Sequence, residues 1–226
     1  MNSASHRLEL VGRLSLLALV LIGFAIARLT AAQTSAGGAT VTFRKVFKTS
    51  YPEYVEIRVS ESGSATYDIR QLSDDPNPQS SEVAAPIVKR IFELAASLHN
   101  FAGVDLEMHR RIANLGQKTF RYQRGAESHS VTFNYTLDQS AAQLLNIFES
   151  LARQQTDLSD LQRTMRYDRL GVNDVLHQIE KDYDQRLLPQ PEQFLPSLDQ
   201  LAADNHFIDI ARERARTLAS RIRAGR

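Results

Sequence analysis

The sequence predicts an α+β protein: duplicated ββα units form a four- to five-stranded antiparallel sheet with helices on one face, followed by a helical C-terminal region. Three observations predict this fold. In several short segments between residues 41 and 135, apolar side chains recur at every second position, the period of a half-buried strand. A helical stripe, with spacings of three and four, follows each of two strand pairs. After residue 155 only the helical spacing continues.

The composition is that of a protein with a packed core, and it excludes several kinds of site. The chain has 226 residues, 42% of them hydrophobic, and 27 Lys and Arg nearly balance 26 Asp and Glu. Cysteine is absent, which excludes disulfides, iron–sulfur clusters, cysteine-ligated zinc and a thiol nucleophile. The net charge of +1 provides no general attraction to nucleic acid, so we expect no such partner.

Residues 1–32 predict a signal peptide. Arg7 and Arg13 precede an uncharged apolar run over residues 14–27, and small residues follow. This run is shorter than the roughly 20 residues that span a bilayer. We therefore expect cleavage before Gln33, a periplasmic or extracellular location, and no integral membrane span after cleavage. An uncleaved N-terminal membrane anchor stays open as the alternative.

A sheet domain is predicted over residues 41–155, after a small and polar segment, 33–40, that predicts a flexible lead-in. Residues 41–47 predict the first strand. Residues 54–60 alternate between apolar and polar side chains, and 65–69 resume the alternation after a glycine-containing turn. These two segments predict a β-hairpin with one buried and one solvated face.

A helix is expected after the loop-forming residues 73–81, with Ser80 or Ser81 as its N-cap. Its apolar stripe consists of Val83, Ile87, Ile91, Leu94 and Leu98.

The same order then recurs, which suggests an internal duplication. Residues 117–123 and 131–135 predict a second hairpin, and Asp138 is expected to cap the second helix.

The outward face of this sheet is a candidate binding surface. Its residues alternate with the apolar ones, and those singled out as the binding face are Tyr54, Arg58, Asp68 and Arg70. A merely solvated face is the simpler interpretation and stays open.

Three short patterns in the first half carry a resemblance to a known family. They are Val41-Thr-Phe-x-Arg44, Tyr51-Pro-x-Tyr54-x-x-Ile57 and Gly63-x-x-x-Tyr67. Together they are similar to the opening of an uncharacterised family of exported bacterial domains with the order ββαββα. That family tends to have Cys-Pro-x-Tyr where this chain has Ser50-Tyr-Pro-Glu-Tyr54. The mature chain also resembles a conserved hypothetical protein of soil-type bacteria. The resemblance implies export and this fold over residues 41–155, and it transfers no site residue.

Residues 156–226 predict a helical region whose docking stays open: its helices pack on the sheet domain or form an arm. Glycine and proline separate the helical stripes. The expected helices cover 157–170, ended by Gly171; from Asn173 or Asp174 through Tyr183; a short one through Leu198 and Leu201; and about Phe207 to Ile222.

Asp105, Glu107 and His109 are the candidate metal ligands. On a strand their period of two would place all three on one face, where two carboxylates and an imidazole could ligate zinc. No second histidine lies at ligand spacing, and Arg110 and Arg111 adjoin, so a structural polar stripe is favoured.

Charged residues in the last third suggest an anionic partner. Residues 205–226 contain six Arg against two acidic residues. Arg212, Arg216 and Arg223 are candidate contacts to an acidic partner or to lipid phosphates. Because the arginines spread around the helix, a salt-bridged helix is favoured. Glu180, Asp182 and Asp184 are expected to form a solvated charged face.

These observations predict a non-enzymatic binding module of the bacterial envelope, with an unknown envelope protein as partner and no cofactor. The sequence contains no HExxH, GxSxG, P-loop or dinucleotide-binding motif. One alternative is an envelope hydrolase or metal-dependent enzyme that uses Asp105, Glu107 and His109. Another is a peripheral binder of anionic membranes through the arginine-rich last helix. A carboxylate pair for acid–base chemistry needs no local motif and also stays open.

Overall fold

The computed structural model describes residues 38–225, which belong to one compact unit. The predicted signal peptide, residues 1–32, and most of the predicted lead-in lie outside these residues. The described part contains one six-stranded antiparallel sheet in the order β4-β3-β2-β1-β5-β6. Its strands are β1 (Thr40–Val46), β2 (Tyr54–Ser60), β3 (Ser64–Arg70), β4 (Gln79–Glu82), β5 (Gln117–Arg124) and β6 (Glu127–Phe133).

Five α-helices accompany the sheet within the same residues. They are α1 (Ala85–Ser97), α2 (Gln139–Tyr167), α3 (Val172–Asp184), α4 (Leu195–Ala203) and α5 (Asp209–Ala224). Single 3₁₀ turns lie at His99–Phe101 and Pro191–Phe194. Across residues 38–225, none of the helices combines the length and apolar character that a membrane crossing requires. The α+β fold class predicted from the sequence is confirmed.

The two predicted hairpins lie on either side of β1. β2 and β3 form the first hairpin, β5 and β6 form the second, and β1 pairs antiparallel with both β2 and β5. Alternate residues of each of these five strands are buried beneath α1 and α2. Phe148 of α2 stacks on Phe43 of β1, with ring centroids 5.4 Å apart, and Phe120 lies 5.8 Å from Phe43. An aromatic cluster therefore fixes α2 across the centre of the sheet.

The sheet has six strands, whereas four or five were predicted. The additional strand, β4, changes the assignment of Ser80 and Ser81. Both residues lie in β4, which pairs with β3, and not at the start of a helix. Helix α1 is preceded by Ala84, with no capping side chain, and has proline in its first turn. Asp138 does cap α2 as predicted, because its Oδ1 accepts a hydrogen bond from the Ala141 amide, 2.8 Å away.

Helix α2 extends further than the sequence indicated. Its 29 residues run without interruption across the expected boundary between residues 155 and 156. The helix ends at Tyr167, and Gly171 precedes α3 instead of ending α2. The N-terminal half of α2 packs in the hydrophobic cluster beneath the sheet, whereas Leu161 belongs to a second cluster with α3, α4 and α5.

The C-terminal helices dock on the sheet domain through glutamine side chains. Gln154, on α2, is 2% exposed; its Oε1 accepts from the Gln190 amide at 2.7 Å, and its Nε2 donates to Gln193 at 2.8 Å. Gln190 Oε1 in turn accepts from the amide of Ala84, and Gln193 Nε2 donates to the carbonyl of Glu82. The alternative of a detached helical arm is therefore wrong for the described residues.

Candidate functional site

The outer face of the sheet has no helix on it within the described residues. Tyr54, Arg58, Asp68 and Arg70 all lie on this face, on the adjacent strands β2 and β3. Arg70 lies over the Tyr54 ring, 4.4 Å from its centroid, and its Nε donates to Asp68 at 3.1 Å. The structure therefore brings the predicted binding-face residues together.

Neighbouring carboxylates partly neutralise this group. The hydroxyl of Tyr54 donates to Glu56 at 2.9 Å, and Arg58 lies 3.5 Å from the same carboxylate. Burial raises the pKa of Tyr54 to about 12, and the hydrogen bond to Glu56 adds to the shift. The phenol is therefore neutral at physiological pH and acts as a hydrogen-bond donor.

Two arginines at the centre of the same face make no ion pair within residues 38–225. Arg44 lies on β1, between Glu56 of β2 and Thr119 of β5. Arg121 lies on β5, opposite Thr42. The two arginines are thus diagonal neighbours across one strand pair, a position in which the Cα atoms of a regular sheet lie about 7–8 Å apart. Arg121 Nε donates only to the Ser128 hydroxyl, 3.0 Å away. Sequence analysis did not single out this pair.

Asp105, Glu107 and His109 lie in an irregular segment, not on a strand. The His109 ring contacts Asp105 at 2.7 Å, whereas Glu107 Oε2 accepts from the Asn134 amide at 2.6 Å. Hydrogen bonds from the Glu107 amide and from His109 lower the pKa of Asp105. Glu107 therefore points away from the other two, and residues 38–225 contain no group of three or more metal-ligating side chains.

A buried lysine fixes the end of the same loop, next to β5. Lys118, on β5, is 5% exposed, and its Nζ donates to the carbonyls of Leu115, Gly116 and Asn134 at 2.7–3.1 Å. Burial lowers the pKa of Lys118, and the nearby charge of Lys45 lowers it further. Glu107 stabilises this loop by accepting the hydrogen bond from the Asn134 amide.

The arginines of α5 lie on two sides of the helix and make ion pairs, in keeping with the salt-bridged helix that the sequence favoured. Arg212, Arg216 and Arg223 line a groove of about 420 Å³ between α4 and α5. Each already has an acidic partner in the described chain: Asp209, Glu213 and Asp199, respectively. Arg214 and Arg221 face α3 instead and pair with Glu180, at 2.5 and 3.2 Å. The groove therefore carries little uncompensated charge.

A pair of carboxyl groups, one buried and one half-buried, lies between α2 and α3, and the sequence analysis missed it. Asp182, assigned to a solvated face, is 2% exposed; its Oδ2 accepts from Gln178 at 3.1 Å and lies 3.6 Å from Arg153. Asp157 lines the same cavity as Asp182, and its Oδ2 is buried without a hydrogen-bond partner among the described residues. Burial, together with the Asp182 charge, raises the pKa of Asp157 from 3.8 to about 7.

The pair lines a cavity of about 400 Å³ whose other walls are the end of β1, the β1–β2 loop and α2. Tyr51, 89% exposed, contributes to this cavity and to a neighbouring polar one of about 590 Å³. One signal in the sequence could have located Asp182. It continues the buried stripe Val172, Leu176 and Ile179, which predicts an inward position.

Comparison with models of known protein families finds no match, and comparison with curated proteins finds no similar sequence. The resemblance to an uncharacterised exported family stays a prediction.

Proposed function

We propose that this protein is an exported, non-enzymatic binding module that docks an acidic protein segment on the outer face of its sheet. The observation that carries the proposal is the uncovered outer face, to which five long strands contribute alternate polar side chains. An open sheet face stabilised entirely from its other side leaves its polar residues available for a partner.

The charges on this face favour a partner that carries carboxylates. Glu56 and Asp68 are bound by Arg58 and Arg70, whereas the guanidinium groups of Arg44 and Arg121 make no ion pair within the described residues. Arginine binds carboxylates through paired hydrogen bonds. Hydroxyl groups surround the two arginines, including Thr119 and Thr132, whose oxygens lie 3.0 Å apart. An acidic segment laid across β1 and β5 would meet both guanidinium groups.

The test is binding of a fluorescein-labelled poly-glutamate peptide, measured by fluorescence anisotropy. Replacing Arg44→Glu and Arg121→Glu together is expected to weaken binding at least about tenfold, since two favourable charges become unfavourable. The matched control, Lys89→Glu with Arg90→Glu on α1, changes the net charge equally on the opposite side of the sheet. An equal loss of peptide affinity in both double variants, or no binding by the wild type, would contradict the proposal that this face is the docking surface.

The same protein, recovered from the envelope of its native host, tests export by its intact mass. A chain that begins at Gln33 is expected. A full-length chain would overturn this part of the proposal and leave the N-terminal anchor.

A further inference from the structure

Two carboxyl groups, the buried Asp182 and the half-buried Asp157, meet at the contact between α2 and α3. Asp182 lies on the inner side of α3 and is almost fully shielded from solvent. Asp157, on α2, lines the same cavity as Asp182, and its Oδ2 is buried with no hydrogen-bond partner among residues 38–225. Two ionised carboxylates in this position would repel each other, and one would lack a hydrogen-bond donor. A single proton between them removes both penalties.

The groups that face the pair neutralise it only in part when both carboxyl groups are ionised. Arg153 is half-exposed and contacts Asp182 at 3.6 Å, and Lys45 of β1 is paired with Glu149 at 3.3 Å. Asp160, one turn along α2, adds a further carboxylate near Asp157, and it pairs with Arg163 at 2.9 Å. Tyr51 in the β1–β2 loop and Gln178 on α3 are uncharged neighbours in the cavity. In the described part of the chain, α4 and α5 place no titratable group in this cavity.

We propose that the Asp157–Asp182 pair is a pH-sensitive latch: it holds α3 against α2 while the two carboxyl groups share a proton, and it loosens this contact when both are ionised. The adjoining cavity gives water a path to the pair, so the two carboxyl groups can exchange protons with solvent in the folded chain. Because Asp157 binds its proton more tightly in the folded chain, the contact is strongest below about pH 4 and weakens as the pH rises to about 7.

Hydrogen exchange measured by mass spectrometry tests the latch in the full mature chain. The readout is the protection of α3 amides relative to α1 amides, each corrected for the intrinsic exchange rate at that pH. Between about pH 5 and about pH 8.5 this ratio is expected to fall about tenfold or more in the wild type. A constant ratio overturns the proposal without any variant.

Three variants assign the effect to the pair. In Asp157→Asn and in Asp182→Asn, the amide supplies a permanent donor, so the ratio is expected to stay constant across this pH range. Asp75→Asn, in the exposed loop between β3 and β4, is the matched control and is expected to show the wild-type fall. The assignment is overturned if the protection ratio falls in both pair variants as it does in the wild type. It is also overturned if the ratio stays constant in the Asp75→Asn control.

Discussion

Single buried polar residues determine how the parts of this molecule meet. The side-chain amide of Gln154, on α2, both donates and accepts a hydrogen bond with the segment before α4. Lys118 donates three hydrogen bonds to backbone carbonyls, two of them at the end of the loop that contains Glu107. Each replaces water for backbone groups that would otherwise be buried without partners. Such residues stabilise the fold less through their own hydrogen bonds than through the penalty that their loss would impose.

Gln154→Ala is expected to lower the free energy of unfolding by about 1–3 kcal/mol, because the amide of Gln190 is then left buried without an acceptor. Chemical denaturation followed by far-UV circular dichroism measures this loss. The neighbouring Gln155→Ala is the control: Gln155 lines a cavity and its amide makes no hydrogen bond to another described residue. Equal losses in the two variants would show that the glutamine contacts contribute nothing specific.

At the scale of elements, the sequence predicted the strands whose apolar residues alternate and missed the one that lacks them. β2 was predicted at its observed bounds because Val55, Ile57 and Val59 alternate with polar residues. β4 consists of Gln-Ser-Ser-Glu and is a strand only because the open edge of β3 supplies hydrogen-bond partners. No local pattern predicts such a strand.

The candidate sites were also predictable to different degrees, because a local pattern determines some of them and long-range packing determines others. Tyr54 and Arg70 were placed on one face because strand alternation fixes direction locally. Asp157 and Asp182 meet only because α2 and α3 pack together, and their separation of 25 positions has no periodic signature. The continuity of α2 was missed because the change from the sheet core to the helical core occurs within one helix.

Asp138→Ala tests the start of α2. Loss of the side-chain acceptor for the Ala141 amide is expected to destabilise the protein by about 1 kcal/mol. Thermal or chemical unfolding provides the measurement. Asp174→Ala is the comparison, since Asp174 lies in the first turn of α3 without making a capping bond. A loss at Asp174 as large as that at Asp138 would indicate that general helix-dipole effects, and not the cap, dominate.

At the scale of the whole molecule, two hydrophobic clusters share one helix. The sheet, α1 and the first half of α2 surround one cluster; the second half of α2 and the last three helices surround the other. Because α2 runs through both, melting either cluster removes the support of the other. We therefore infer that the described residues unfold as one cooperative unit.

Phe148→Ala in the first cluster and Leu218→Ala in the second test this cooperativity. Both side chains are fully buried, so losses of about 3–5 and 2–5 kcal/mol, respectively, are expected. At about pH 6, where the carboxyl pair retains its proton, each variant is expected to show a single transition by circular dichroism and by tyrosine fluorescence. A variant in which the two signals separate would show that the clusters unfold independently.

The uninterrupted course of α2 also restricts how this gene can change in length. Each residue inserted between the two clusters would rotate everything after it by about 100° around the helix axis and advance it by about 1.5 Å. Leu161 would then turn away from its cluster, and Asp157 away from Asp182. Residues 152–160 resemble a linker by composition, yet they set the angular phase between the halves and should tolerate substitutions far better than insertions or deletions.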